Sequence, residues 1–381
     1  MRVLHVCVCG PYTDGLAYQE NELVSQHVDL GYDVTVIAAT DTYGQDKKIV
    51  HVAPGTSTLQ CGARLIRLPY AFGAKGWFAS KLRAHQGMSA CLESTRPDRI
   101  LFHGLCAWDL LQVARYVRRH PAVRLLADCH EDFNNSAMSW ASRELLHKRF
   151  YRSIFQRSLP EISEVLCVTV ESLNFATDFY GSPRAKSRIY PLGTVIESAE
   201  SNARRREQFR RHHGFANDDI VIAQTGKLDR TKKLAEALSA FRATDAARLK
   251  FVIAGLMTED VRRECLPMIR ADARITDLGW VATDELRTVL AGSDFFLQPF
   301  GQTVTTQMAM GYGCAILAQD LPSHRWLVKD NGKLFEDASE LSSVFDWVKA
   351  NEQKITQMRE ASRGFAARHL DYRQLALQIV A

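Results

Sequence analysis

Four short segments of the 381-residue chain carry residue types that could bind an anion or move a proton. In GPYTDGLAYQEN (10–21) a glycine-containing loop joins an apolar run to a helical pattern. Free N–H groups and the dipole at a helix start attract negative groups. The loop therefore fits a phosphate cradle or a plain tight turn, and it lacks the G-x-G-x-x-G spacing of a dinucleotide site. In GKLDRTKKLAEAL (226–238), Lys227 and Lys232 or Lys233 lie five or six residues apart across a turn. Two ammonium groups converging there would neutralise a diphosphate leaving group, although a solvated surface turn has the same composition. In FLQPFGQTVTTQMAMGYGCAI (296–316), Gly301 ends a strand-loop, and Thr303, Thr305 and Thr306 stand near a helix start. Their hydroxyls could meet phosphate or sugar oxygens, cap the helix, or do both. In ADCHEDFNNSA (127–137), His130, Glu131 and Asp132 leave a strand for a polar loop. There His130 could donate hydrogen bonds, shuttle a proton or be structural. No H-E-x-x-H, G-x-S-x-G or Ser-His-Asp arrangement supports a hydrolase.

Each segment follows a run that reads as a β-strand. RVLHVCVC (2–9) is apolar and β-branched, AYQENELVSQHVDLG has helical apolar spacing with Gly31 as a stop, and DVTVIAA follows as a second strand. This βαβ opening predicts a parallel sheet, which RLIRLP, RILFHG, RLLADCH and EVLCVT extend. The pattern restarts at IVIAQTG and runs through KFVIAGL, ARITDLG, DFFLQP and CAILAQD. Two doubly wound α/β domains are expected, divided near residue 195, with ligands beyond the carboxyl ends of the strands. The Arg-rich stretch 197–219 reads as a surface helix leading into the second domain, stopped at Gly214.

Composition narrows the class. With 46% hydrophobic and 24% charged residues the chain is an ordinary globular protein, long enough for two cores. No apolar stretch approaches the length of a membrane-spanning helix, and the opening apolar run is too short for a signal peptide. Nine cysteines without a C-x-x-C pair fit reduced thiols in the cytoplasm, with Cys7 and Cys9 on one face of a strand, and make a zinc site unexpected. The net charge of +5 is too small to argue for nucleic acid. Its distribution is uneven: residues 75–157 hold 14 Lys or Arg against seven Asp or Glu. Such a region suits an anionic membrane surface, with Lys81, Arg83 and Arg152 as contributors, or a set of solvated helix faces.

In this order the segments resemble the retaining GT-B glycosyltransferases of family four, over nearly the whole chain. GKLDRTKK resembles that family's G-R-L-x-x-x-K-G turn, FVIAGL its I-x-G strand, and DLGWVATDELRTVLAGSDFFLQP its G-x-V to a-D-x-x-v-x-P run. QMAMGYGCAILAQD is similar to its E-A-M-A-x-G-x-P-V-I-A segment, RILFHG and ADCHED to its two histidine-bearing strand ends, and IYPLGTV to its interdomain crossover. The resemblance implies a GT-B fold of two Rossmann-like domains facing a central cleft. Residues 1–195 would form the acceptor side, 196–370 would bind the nucleotide sugar, and 371–381 would cross back to the first domain.

The implied activity is transfer of a sugar from a nucleotide diphosphate donor to an acceptor hydroxyl in bacterial surface polysaccharide or lipopolysaccharide assembly. The implied alternative is a catalytically silent nucleotide-sugar-binding subunit. No metal and no cofactor beyond the donor substrate are expected; the partners would be that donor, a glycan or lipid-linked acceptor, and an anionic membrane. By resemblance, Gly226, Lys227 and Lys232 would hold the diphosphate, helped by Gly301, Thr303 and Val304 at a helix N-terminus, with Gly15 and Leu16 approaching from the first domain. Trp280 and Val281 would lie against the base, and His130 beside the donor sugar, making His130, Lys227 and Lys232 the catalytic group. Two family glutamates are replaced, the ribose-binding one by Gln307 and the sugar-binding one by Pro299. Sugar recognition would then fall to Gln302, the threonines or Gln298.

Overall fold

The computed structural model describes residues 1–44, 48–71, 77–301 and 303–381. Contacts divide the chain into two units, Met1–Leu192 with Tyr372–Ala381, and Gly193–Asp371. The division thus falls at 192/193 and 371/372 rather than at 195/196 and 370/371.

Among the described residues the strands of the first unit are β1 (Arg2–Cys7), β2 (Asp33–Ala39), β3 (Asp41–Tyr43), β4 (Ile49–His51), β5 (Gly55–Thr58), β6 (Arg64–Leu68), β7 (Arg99–Phe102), β8 (Arg124–Cys129), β9 (Ile162–Cys167) and β10 (Ser187–Ile189). Eight of them form one sheet in the order β10-β9-β8-β7-β1-β2-β6-β5, parallel except for the antiparallel β5–β6 pair. The remaining two, β3 and β4, make a separate antiparallel hairpin. The apolar runs read from sequence are the buried central strands. Missed were the hairpin, β5 and β10, which are three or four residues long and carry no burial alternation a sequence could display.

Side chains alternate across this sheet. Leu4, Val6 and Val8 with Ile100, Phe102, Leu125 and Ala127 enter one core cluster, while Cys7 joins Val24, Val34 and Val36 in another. Cys9 packs against the first of these, so Cys7 and Cys9 do not share a core. The second face is covered by the helices Gln19–Asp29 and Tyr372–Val380, which pack against each other. The closing helix is fixed there by Tyr372, Leu375, Ala376, Ile379 and Val380, all buried, and by the Tyr190 hydroxyl, which donates to Leu375 O at 2.8 Å.

Among the described residues the second unit holds six parallel strands, β11 (Ile220–Leu228), β12 (Leu249–Met257), β13 (Ile275–Asp277), β14 (Phe295–Gln298), β15 (Ala315–Gln319) and β16 (Gly332–Phe335), in the order β13-β12-β11-β14-β15-β16. The Arg-rich segment forms the helix Ala199–His212, but it is not a plain surface helix. Phe209 is buried against Gly292, where a Cβ would stand 2.1 Å from its ring. Arg206 and Arg210, joined by Arg359, converge on the buried Asp294 at 2.7, 3.3 and 3.4 Å. Among the described residues no helix is long and apolar enough to cross a membrane.

Candidate functional site

In both sheets the strand order reverses beside the first strand, between β1 and β7 and between β11 and β14. Such switch points open a crevice at the strand carboxyl ends. Each unit has its candidate residues there.

In the first unit a cavity of about 600 Å³ lies beyond β1, β7 and β8, lined among others by Gly10, Tyr12, Arg83, His103, His130 and Glu131. Asp128, 1% exposed, organises its floor. One carboxylate oxygen accepts from Gly104 N at 2.7 Å and faces His130 Nε2 at 3.4 Å; the other accepts from His103 Nδ1 at 2.6 Å. Burial alone would raise the Asp128 pKa, but the imidazoles of His103 and His130 hold it well below the usual carboxylate range. The same attraction overcomes burial at His130 and lifts its pKa to about 9, so its ring is an imidazolium at neutral pH. Gly104, at φ +95°, is required by geometry, since a Cβ would stand 2.7 Å from Cys9 Sγ.

Arg83 is not a membrane-facing residue as its position in the basic stretch suggested. It donates to Cys106 O at 2.8 Å, lies 5.7 Å from the Tyr151 ring centre and lines the cavity. Gly15 and Leu16 do not line that cavity; Gly15 forms an exposed turn at φ +77° beside Gln60. The cavity side of their loop is Gly10, Pro11 and Tyr12, with Glu20 beyond it.

In the second unit β11 runs through Gly226 and Lys227, both exposed, into a short turn ending at Lys232. Lys233 is paired with Glu236 at 3.2 Å, and within this turn Lys227 and Lys232 have no ion pair among the described residues. The half-buried Lys232 has its pKa lowered by burial, partly offset by Asp229. Gln224 donates to Lys232 O at 2.6 Å and so fixes the turn to the strand.

Trp280 and Val281 sit in the loop between β13 and the helix Thr283–Gly292, with Trp280 59% exposed. That loop is tied to the end of β12 by Gly255 N, which donates to Gly279 O at 2.6 Å. After β14, Gly301 turns the chain at φ +66° into the helix Val304–Gly311, whose N-cap is Thr303. Gln302 lies outside the described residues. Gln298 is unavailable to a sugar through its amide nitrogen, which donates to Phe300 O and Gly301 O at 2.6 and 2.9 Å.

Thr303 makes no side-chain cap bond, so its hydroxyl is left over rather than spent on the helix. Gln307 and Thr306 are fully buried, yet both amide atoms of Gln307 and the hydroxyls of Thr303 and Thr306 lack a partner among the described residues. The Thr225 hydroxyl and Gln224 Oε1, within adjacent β11 and on opposite faces of its sheet, also lack a partner among the described residues. Buried polar atoms are ordinarily paired, and each left alone costs about 1–3 kcal/mol. Those of Gln307, Thr303 and Thr306 gather at one helix start, after β14. Sequence reading singled out Gln307 and the threonines but missed Asp128, Thr225 and Gln224, which stand inside strands and look like interior residues.

Two family models match the chain, one described as a glycosyl transferase 4-like domain over residues 14–193, the other as glycosyl transferases group 1 over 219–348. These matches and the fold define a GT-B glycosyltransferase. Within that class the chain belongs to the family-four type. Sucrose-phosphate synthase from Thermosynechococcus elongatus superposes with a TM-score of 0.70 at 14% identity, over 100% of this chain and 97% of that one. Anabaena HepE in complex with UDP and glucose gives 0.67 at 15%, covering 100% and 98%. WaaG, a glycosyltransferase involved in lipopolysaccharide biosynthesis, gives 0.65 at 13%, covering 99% and 98%. No curated protein matches the chain at a significant level.

Proposed function

We propose that the protein moves a sugar from a nucleoside diphosphate donor to an acceptor hydroxyl with retention at the anomeric carbon. The observation that carries this is the set of buried, unpartnered polar atoms of Gln307, Thr303 and Thr306 at a helix N-terminus, beside the lysine turn that ends β11. An amide can both accept from and donate to ribose hydroxyls, while helix N–H groups with Lys227 and Lys232 suit a diphosphate. HepE, of the same fold, is described with UDP and glucose. In the reaction the bond from the anomeric carbon to the diphosphate oxygen breaks and its electron pair stays on the phosphate. The acceptor oxygen bonds to that carbon and its proton passes to the departing diphosphate. The lysines supply the positive charge in place of a metal, and the His130 imidazolium hydrogen-bonds the donor sugar. Within the second unit, Trp280 and Val281 are the proposed face for the base.

The test is binding of UDP, GDP and ADP sugars by calorimetry, with turnover against a panel of acceptors. Gln307→Leu is expected to weaken nucleotide binding by about tenfold or more while raising stability by about 1–3 kcal/mol, because two buried unpaired atoms are removed. Loss of binding together with loss of stability would point to a structural amide instead. Full turnover in His130→Ala would remove His130 from the mechanism. Binding without turnover against every acceptor would favour the silent subunit.

The acceptor class is read as lipid-linked and presented at an anionic bilayer, on the cytoplasmic side of bacterial surface-glycan assembly. Met138 and Trp140, 75% and 73% exposed, stand with Leu145 and Phe133 on the segment bordering the first unit's cavity. The exposed Arg143, Lys148 and Arg149 follow on the helix Ser142–Tyr151, which is wound i to i+5. Apolar and aromatic side chains interleaved with cations suit the interface of an anionic membrane. Sedimentation with phosphatidylglycerol vesicles should fall on Trp140→Ala and on joint neutralisation of Arg143, Lys148 and Arg149. Binding unaffected by either change would overturn the reading.

A further inference from the structure

Beneath the cavity floor of the first unit the structure holds a continuous hydrogen-bonded row of imidazoles. His27 Nε2 lies 3.0 Å from Ala376 O in the closing helix, and His27 Nδ1 lies 2.9 Å from His5 Nε2. His5 Nδ1 lies 3.0 Å from His103 Nε2, and His103 Nδ1 lies 2.6 Å from Asp128 Oδ2. His5 and His27 are wholly inaccessible and His103 is 8% exposed. The row follows from strand alternation: His5 in β1, His103 just past β7 and Asp128 in β8 project onto the face opposite Leu4, Ile100 and Leu125, where His27 and the last helix cover them.

The row can be counted in protons. Both of its ends are acceptors, a backbone carbonyl and a carboxylate. Four hydrogen bonds between them require four protons, and three neutral imidazoles carry three. We infer that the His27–His5–His103 row stores one proton more than its neutral rings hold, paired with Asp128, and that His5 and His27 thereby act as remote positioning residues for His130. Without that proton, one junction of the row becomes two lone pairs facing each other in a buried site.

The surplus belongs on His103, the ring in contact with the carboxylate. Burial, and then the neighbouring rings, depress the pKa of His5, and burial depresses that of His27 to about 4, so neither is a resting place for the charge. Other titratable groups around the row and its carboxylate are Glu20 from the helix over this face, Cys7 and Cys9 at the end of β1, Tyr32 beside His27, Glu131 after β8, and Tyr190 after β10. These are carboxyls, thiols and phenols; the cation that shares Asp128 with the row is His130. His130 shares Asp128 with the row, so a proton on His103 partly neutralises the carboxylate that His130 faces. This count holds whatever the chemistry above it is.

Nitrogen-15 imidazole spectra of the full chain test the inference directly. One ring with both nitrogens protonated is expected among His5, His27 and His103 at neutral pH; one proton on each of the three rings would overturn it. His27→Gln, whose amide can donate to Ala376 O and accept from His5, should retain the doubly protonated ring. His27→Leu deletes the carbonyl's donor and the acceptor for His5, so the remaining two rings need only two protons and the surplus is lost. With His103 neutral, the His130 titration should then move upward by about one pH unit. A doubly protonated ring in His27→Leu as in the parent, or an unmoved His130, would refute the coupling.

Discussion

At the scale of single residues the proposed site rests on groups whose protonation is set by their surroundings. Lys232 is moved below its ordinary 10.5 by burial, so between that lowered value and 10.5 the folded chain holds fewer protons than the unfolded one. Its stability contribution therefore improves as pH rises through the lowered value, while a diphosphate needs the ammonium. Nucleotide affinity is expected to decline on the alkaline side starting below 10.5, and Lys232→Met should abolish that limb in calorimetry across pH. His130 has the opposite sign. Its folded pKa is raised to about 9 against an ordinary 6.5, so its contribution to stability is complete below 6.5 and disappears as pH rises through 9. The difference in stability between the parent and His130→Asn, followed by chemical denaturation, should shrink over that window. Neither shift was legible in the sequence: Asp128 appears there as one polar residue in RLLADCH, and the register of β7 against β8 makes it the partner of His103.

Secondary-structure elements hold these groups by close backbone approach and by one buried charge cluster. Gly255 on β12 faces Gly226 on β11 so tightly that a Cβ would stand 1.9 Å from Gly226 O. Gly255→Ala should cost at least about 3 kcal/mol through overpacking, and in denaturant titrations it should damage the lysine turn and the Trp280 loop together. Asp294 carries a second kind of load. Besides three guanidinium groups it accepts from Val221 N at 2.9 Å, joining the helices Ala199–His212 and Ile355–His369 to β11. Asp294→Ala leaves buried cations without a counter-charge and is expected to cost about 3–5 kcal/mol. The arginines could be seen in the sequence as a basic helix; their common carboxylate, more than 80 residues along the chain, could not.

For the whole molecule, the division of the chain places its last ten residues in the first unit. Their removal should be felt as a loss of that unit's stability rather than as a trimmed tail. It exposes the core under Leu375 and Ile379 and strips acceptors from the Tyr190 hydroxyl and His27. A chain ending at Asp371 should lose on the order of 5 kcal/mol, read as an earlier unfolding transition of the first unit while the second is unchanged.

What the sequence by itself determined is local: the central strands, the turns after them, and the glycine, lysine and threonine residues at strand ends. These depend on apolar periodicity and backbone preference within about ten residues, and they sufficed for two doubly wound α/β domains. The tertiary structure decided which of those residues have unmet valences and which charges meet. Gln307 is informative because it is buried and unpaired, Lys232 because Lys233 is occupied by Glu236, and Arg83 because it turns inward to Cys106. The imidazole row joins residues 22, 98 and 349 positions apart. Pairing over such separations is fixed by strand order and register, which no local pattern encodes.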